Sequence, residues 1–169
     1  MTETALVTGA SAGIGRELAR QFARRGHDVV LVARREERLR ELAREFEDTY
    51  GVVAHVVVQD LASREGREAL FEETESRGIA VTYLVNNVGM GTQGSFLDID
   101  TERELTQLEL NVVTPTHLTK LYGPGLRARN GGVLNVASSA AFQPGPYMAV
   151  YFASKRVILF ALASPENAK

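Results

Sequence analysis

Thr4-Ala5-Leu6-Val7-Thr8-Gly9-Ala10-Ser11-Ala12-Gly13-Ile14-Gly15 opens the chain with an apolar run that breaks into a glycine turn and then into a helical pattern. Thr4–Thr8 lacks polar alternation and reads as a strand buried on both faces. The glycines at 9, 13 and 15 follow it directly and open a helix over Ile14–Arg25. Without a Cβ they permit a tight turn and let an anionic group approach the helix N-terminus, where free N–H groups and the dipole favour negative charge. The spacing is Gly-x-x-x-Gly-x-Gly, not the commoner dinucleotide pattern Gly-x-Gly-x-x-Gly. A bare glycine turn closing a strand–helix unit is the competing reading.

The alternation continues outward from this stretch. Asp28–Ala33, Val52–Val58, Val81–Asn86 and Gly132–Ala137 read as further strands. Between them lie amphipathic segments: Arg35–Tyr50, with Leu39, Leu42, Phe46 and Tyr50 on one side, and Ser63–Arg77. The charges of the first are most simply a solvated helix face. Thr101 and Glu104 fit a capping box that opens a long helix running to Arg129. Pro115 inside it and Gly123-Pro124-Gly125 near its end predict a kink or break. A last helix carries Tyr151 and Lys155.

Such alternation implies an α/β fold, a parallel sheet with helices on both faces. Right-handed crossovers make it doubly wound and Rossmann-like, in the order 3-2-1-4-5. Ligands on these sheets bind beyond the C-terminal strand ends, at the switch between strands 1 and 4. The unusual residues gather there: Gly9–Gly15 after strand 1, Asp60 after strand 3, Asn86–Gly89 after strand 4 and Ser138 after strand 5.

The 169 residues suit one domain, with 44% apolar and 24% charged residues and a formal net charge of −2. That balance offers no electrostatic attraction to nucleic acid or an anionic membrane. Cysteine is absent, which excludes disulfides, thiolate catalysis and cysteine-ligated metals. His27, His55 and His117 lack ligand spacing, so no metal site is expected. No apolar run approaches the length of a membrane span, and the N-terminus lacks the pattern of a secretory signal, so the cytoplasm is the expected setting.

Tyr151 and Lys155 stand one helical turn apart, on one helix face. A free phenol titrates near 10 and is a poor acid–base catalyst at neutral pH. A neighbouring ammonium favours the phenolate, so the pair can hold a phenol poised for proton transfer. A solvated helix face is the alternative when the pair is taken alone.

Together, Thr8-Gly9-x-x-x-Gly13-x-Gly15, Asp60, Asn86-Asn87-Val88-Gly89, Asn111, Ser138 and Tyr151-x-x-x-Lys155 resemble the short-chain dehydrogenase/reductase family, in the family's order and over nearly the whole chain. Val88, where the family usually has alanine, is a mild departure. The resemblance implies a catalytic tetrad of Asn111, Ser138, Tyr151 and Lys155. Tyr151 would exchange a proton with the substrate oxygen as hydride passes to or from a nicotinamide. Lys155 would lower the tyrosine pKa and bind the nicotinamide ribose. Ser138 would hold the substrate oxygen, and Asn111 would anchor a water in a relay to Lys155; a helix-kink or capping role is the alternative for Asn111. Ser139 rivals Ser138, but the family's spacing to the tyrosine fits Ser138.

On the cofactor side the resemblance implies Gly9, Ser11, Gly13, Ile14 and Gly15 at the pyrophosphate. Asp60 would accept a hydrogen bond from the adenine amino group, Leu61 would pack on the ring, and Asn86 would help bind the adenosine side. An acidic residue after strand 2 would pair with the ribose of NAD, whereas arginine accommodates a 2′-phosphate. Here the segment is Ala33-Arg34-Arg35, which favours NADP over NAD, with Arg34 the principal contact; ordinary surface charge is the alternative. The segments Met90–Phe96 and Phe142–Tyr147 are apolar and glycine-containing without a charged anchor, which suits a small, largely apolar ketone or secondary alcohol. Tyr122 and Tyr147 have no lysine at helical spacing and read as packing or pocket-wall residues.

Family members continue past the tyrosine–lysine helix with further strands and a lid, so residues 1–169 read as a single dinucleotide-binding domain incomplete at its C-terminus. Pro165 is expected to interrupt the last helix. Its cluster Val157, Ile158, Leu159, Phe160 and Leu162 exceeds one covered face. In the family this helix and the long one before it form a subunit interface, so a homo-oligomer is expected. A catalytically incomplete nucleotide-binding or oligomerising fragment is the alternative function.

Overall fold

The structure, a computed structural model, describes residues 2–161, with side chains through Ile158. Five parallel strands form one sheet: β1 (Thr4–Thr8), β2 (Asp28–Ala33), β3 (Ala54–Val58), β4 (Val81–Asn86) and β5 (Gly132–Asn135). Their order is β3-β2-β1-β4-β5, the expected one. In register, Leu6 of β1 stands beside Val30 of β2 and Leu84 of β4.

The strands alternate their side chains between two cores. Leu6, Val30, Val57 and Leu84 pack with Leu70 of α3 (Arg64–Ser76) and with Leu118, Tyr122 and Leu126 of α5 (Thr114–Ala128). Val7, Val29, Leu31 and Val85 face the other way, onto Ala19 and Ala23 of α1 (Gly13–Arg24) and Leu39, Leu42 and Phe46 of α2 (Glu36–Tyr50). All five residues of β1 are buried, which explains its unbroken apolar run. The outer strand β5 leaves Val133 and Leu134 about two-fifths exposed.

The long helix predicted from Thr101 comes in pieces. Asp100 is its cap, accepting the Arg103 N–H at 3.0 Å, so the expected Thr101–Glu104 capping box gives way to a simple carboxylate cap one residue earlier, at the positive end of α4 (Thr101–Leu108). A π turn over Glu109–Val113 separates α4 from α5. Pro115 supplies the cause, since it has no N–H for the carbonyl four residues back and its ring crowds that carbonyl. That residue is Asn111. Pro124, by contrast, lies inside α5 without ending it. Burial of Leu118, Tyr122 and Leu126 holds that helix on the sheet.

The last helix, α6, spans Ala149–Ala161. Ile158 is buried and Val157 is 43% exposed. The expectations for Leu159, Phe160, Leu162 and Pro165 fall outside the described side chains. No helix among the described residues is long and apolar enough to cross a membrane.

Candidate active site

A cleft of about 600 Å³ lies past the C-terminal ends of β1, β2, β3 and β4. Gly9, Ser11, Ile14, Arg34, Arg35, Asp60, Leu61 and Asn87–Met90 line it. These come from the turns after four strands, which only the parallel order brings to one edge.

The glycine turn is built by two different constraints. Gly9 and Gly13 have φ of +69° and +55°, the left-handed region that other residues enter at a cost. Gly15 is needed for space: a methyl group there would lie 2.4 Å from the Gly9 carbonyl oxygen and 2.3 Å from Asn87 Nδ2. Asn87 donates from Nδ2 to the Thr8 carbonyl at 2.9 Å. Thr8 in turn is fully buried. Its hydroxyl donates to the Val85 carbonyl at 3.0 Å and accepts the N–H groups of Asn87 and Val88 at 2.9 and 3.1 Å. The turn after β1 and the turn after β4 are thereby one unit.

Charge enters from the strand 2 side. Arg35 directs Nε and Nη2 to Ser11 Oγ at 3.2 and 2.9 Å, two donors of a charged fork on one neutral oxygen. A phosphate oxygen pair matches that fork better than a hydroxyl does. Arg34 is largely exposed and stands 3.6 Å from Asp60 Oδ2. Asp60 Oδ1 accepts the Ala62 N–H at 3.0 Å, while Leu61 is 3% exposed at the cleft wall. Positive groups, a glycine cradle and an apolar wall in one cleft fit a phosphorylated dinucleotide.

Asn86 points elsewhere. Its Nδ2 donates to Thr119 Oγ1 and Asn135 Oδ1 at 3.2 and 2.9 Å, inside the scaffold between β4, β5 and α5. The cleft-side asparagine is Asn87.

Lys155 is 7% exposed and donates to the Val136 carbonyl at 3.0 Å, with Nζ 6.0 Å from the centroid of the half-buried Tyr151 ring. Burial draws its pKa below the usual lysine value. A methyl group on Gly89 would lie 3.4 Å from Lys155 Nζ and 2.8 Å from Asn111 Oδ1, so these three residues converge at the cleft. A methyl on Gly91 would lie 3.2 Å from the Tyr151 ring. Asn111, 2% exposed in the π turn, pairs with both backbone groups of Met90, its Oδ1 accepting and its Nδ2 donating at 2.9 Å. Nδ2 also donates to Ser154 Oγ at 2.9 Å. Ser138 caps a short 3₁₀ turn over Ser139–Phe142, accepting the Ala140 N–H at 3.2 Å. Ser139 is exposed.

A second hollow of about 260 Å³ is walled by Gly94, Phe96, Ile99, Tyr147 and Ala149, with Glu104 of α4. The Gly94 N–H donates to the Tyr147 carbonyl at 2.8 Å, which ties the two predicted substrate segments together. Tyr147 holds a φ of +62°, uncommon for a non-glycine residue. The carboxylate of Glu104 is a charge that neither segment carries. Tyr122 is a packing residue, as expected; its hydroxyl meets Thr74 Oγ1 at 2.8 Å, and burial pushes its pKa upward.

Sequence reasoning passed over Arg67, Ser154 and the linking roles of Thr8 and Asn87. Arg67 had the one visible sign, an arginine on the apolar side of a helix beside Leu70. The other three roles depend on contacts more than forty residues apart in the chain.

The short chain dehydrogenase family model matches residues 3–163. The chain is similar to the very-long-chain 3-oxoacyl-CoA reductase of Anas platyrhynchos, with 34% identity over 91% of this chain and 51% of that one. It is similar in structure to a short-chain dehydrogenase from Sphingobium yanoikuyae in complex with NADPH, with a TM-score of 0.88 and 35% identity over 94% of this chain and 62% of that one. The bulky-bulky ketone specific alcohol dehydrogenase from Comamonas testosteroni gives a TM-score of 0.83 and 34% identity over 94% and 64%. The chain thus spans about half the length of the curated relative and less than two thirds of either solved chain.

Proposed function

The chain belongs to the short-chain dehydrogenase family, and on that premise we propose that it is an NADP-linked oxidoreductase that reduces a largely apolar ketone or oxidises the matching secondary alcohol. One observation carries this reading: Gly89, in the wall of the cleft that also holds the glycine turn, Arg34 and Arg35, stands against buried Lys155 and Asn111, with the Tyr151 ring beside Lys155. The NADPH complex of the Sphingobium yanoikuyae relative supports the choice of cofactor.

Gly9, Ser11, Gly13, Ile14 and Gly15 would hold the pyrophosphate, Arg34 and Arg35 the 2′-phosphate, and Asp60 and Leu61 the adenine. NADPH supplies the hydride when bound. Tyr151 gives its phenolic proton to the substrate oxygen and regains it from solvent. Lys155 favours the phenolate that this leaves, through an ammonium in a site with little water to screen it. Ser138 Oγ accepts the Ala140 N–H and keeps its own hydrogen to donate to the substrate oxygen. Asn111 commits both Nδ2 hydrogens to Met90 and Ser154, so its part is to hold the segment facing Lys155. The wall of Phe96, Ile99 and Tyr147 suits an apolar substituent on the ketone, with Glu104 able to accept a hydrogen bond from one polar group.

NADPH oxidation with a panel of aryl and alkyl ketones tests this. Tyr151→Phe, which keeps the ring and removes the proton, is expected to abolish turnover while NADPH binding persists. Full turnover in that variant would place the acid elsewhere. Exposed Val133, Leu134, Leu105 and Val113 favour a second reading, a self-associating nucleotide-binding chain. NADPH binding without reduction of any ketone would select it.

A further inference from the structure

Arg67 of α3 is 4% exposed, in a core that also holds Leu61, Leu70 and Leu118. Replacing a buried ion pair with apolar groups of similar volume is often neutral or stabilising, so stability alone does not account for a guanidinium here. Its contacts offer another reason. Nη1 lies 3.0 and 3.3 Å from the carbonyls of Leu61 and Ala62, 3.0 Å from Glu109 Oε2 and 3.4 Å from Thr114 Oγ1. Nε donates to His117 Nδ1 at 3.2 Å. Thr114 Oγ1 also donates to the Leu61 carbonyl, at 2.6 Å.

These partners belong to separate parts of the cleft frame. Leu61 ends the wall after β3, Glu109 begins the π turn, and Thr114 and His117 begin α5. Asn111 sits in the middle of that π turn and holds Met90 on one side and Ser154, the neighbour of Lys155, on the other. A π turn carries one extra residue within its i→i+5 bonds and interrupts the α ladder on either side, so contacts from outside the helix help decide where Asn111 points.

We infer that Arg67 is a positioning residue: by tying Leu61 and Ala62 to Glu109 and Thr114, it sets the π turn that carries Asn111 and so sets Lys155 against the cleft. The consequence for turnover rests on the function proposed above. The placement of Lys155 does not, and it can be read without cofactor or substrate.

The chain has three lysines, Lys120, Lys155 and Lys169, so lysine-selective ¹³C labelling resolves the Cε resonance of Lys155 in a pH titration. Parent, Arg67→Met, Glu109→Gln and Phe46→Leu are compared, the last a core change on the opposite face of the sheet. Released from its anchor, the turn admits water to the ammonium. In Arg67→Met the Lys155 midpoint then rises toward the ordinary lysine value. Glu109→Gln gives a smaller rise. If Arg67→Met does not fold, Glu109→Gln decides alone, since Glu109 is half-exposed and its replacement keeps an acceptor. An unchanged Lys155 midpoint in the folded variants overturns the assignment, as does an equal rise in Phe46→Leu. Failure of the parent to bind NADPH removes the functional reading and leaves this test standing.

Discussion

Gly15→Ala and Gly13→Ala change the same motif by the same methyl group and are expected to fail differently. At Gly15 the new carbon would stand 2.4 Å from the Gly9 oxygen, 2.9 Å from the Gly9 carbonyl carbon and 2.3 Å from Asn87 Nδ2. Two of those atoms are backbone, so relief requires the turn and α1 to separate. Overpacking of this kind costs about 1–3 kcal/mol. Displacing Asn87 from the Thr8 carbonyl adds about 1 kcal/mol. A total near ~3 kcal/mol lowers the melting temperature of a chain this size by roughly 6–12 °C. At Gly13 a methyl meets nothing within 4 Å, and only its φ of +55° opposes alanine. That costs about 1–2 kcal/mol, partly offset by ~0.4–1 kcal/mol from a less flexible unfolded chain. A drop of at most ~6 °C follows. Thermal melts by circular dichroism, with NADPH titration of each folded variant, measure both. If Gly15→Ala melts within ~2 °C of the parent, or Gly13→Ala is the more damaged, the geometry of the turn is not as described.

Thr8→Val keeps the shape but deprives two backbone N–H groups of an acceptor and the Val85 carbonyl of a donor, so a loss of ~3 kcal/mol is expected in urea unfolding. Arg34→Ala should weaken NADPH binding roughly ten- to a hundredfold and leave NADH binding unchanged, as measured by fluorescence titration. Because its pair with Asp60 is exposed, that variant should melt with the parent. His55 has its pKa lowered below 6.5, first by burial and then by Arg77. The unfolded chain therefore binds the extra proton first, and this residue's contribution to stability is lost as pH falls from 6.5 through the lower folded value. His55→Asn should flatten that part of the pH–stability curve; a parent and variant with parallel curves would remove His55 as a cause.

The strand runs Thr4–Thr8 and Asp28–Ala33 announced themselves because a strand buried on both faces needs no polar residue, and the glycines announced the turn because no other residue enters it freely. Local chemistry of that kind, repeated along the chain, is enough to determine a doubly wound sheet and to direct attention to the ends of strands 1 and 4. It also isolated Tyr151 and Lys155, since helical spacing alone puts them on one face. It could not tell Asn86 from Asn87, two neighbours of one type; the pleat turned the first toward Thr119 and Asn135 and left the second at the cleft. Nor could it tell Gly13 from Gly15, because a backbone angle and a missing volume leave the same letter. Arg67, Thr8 and Ser154 acquired their roles only when distant segments were brought within hydrogen-bond reach, since a polar group buried by folding must take its partners from whatever the topology places beside it.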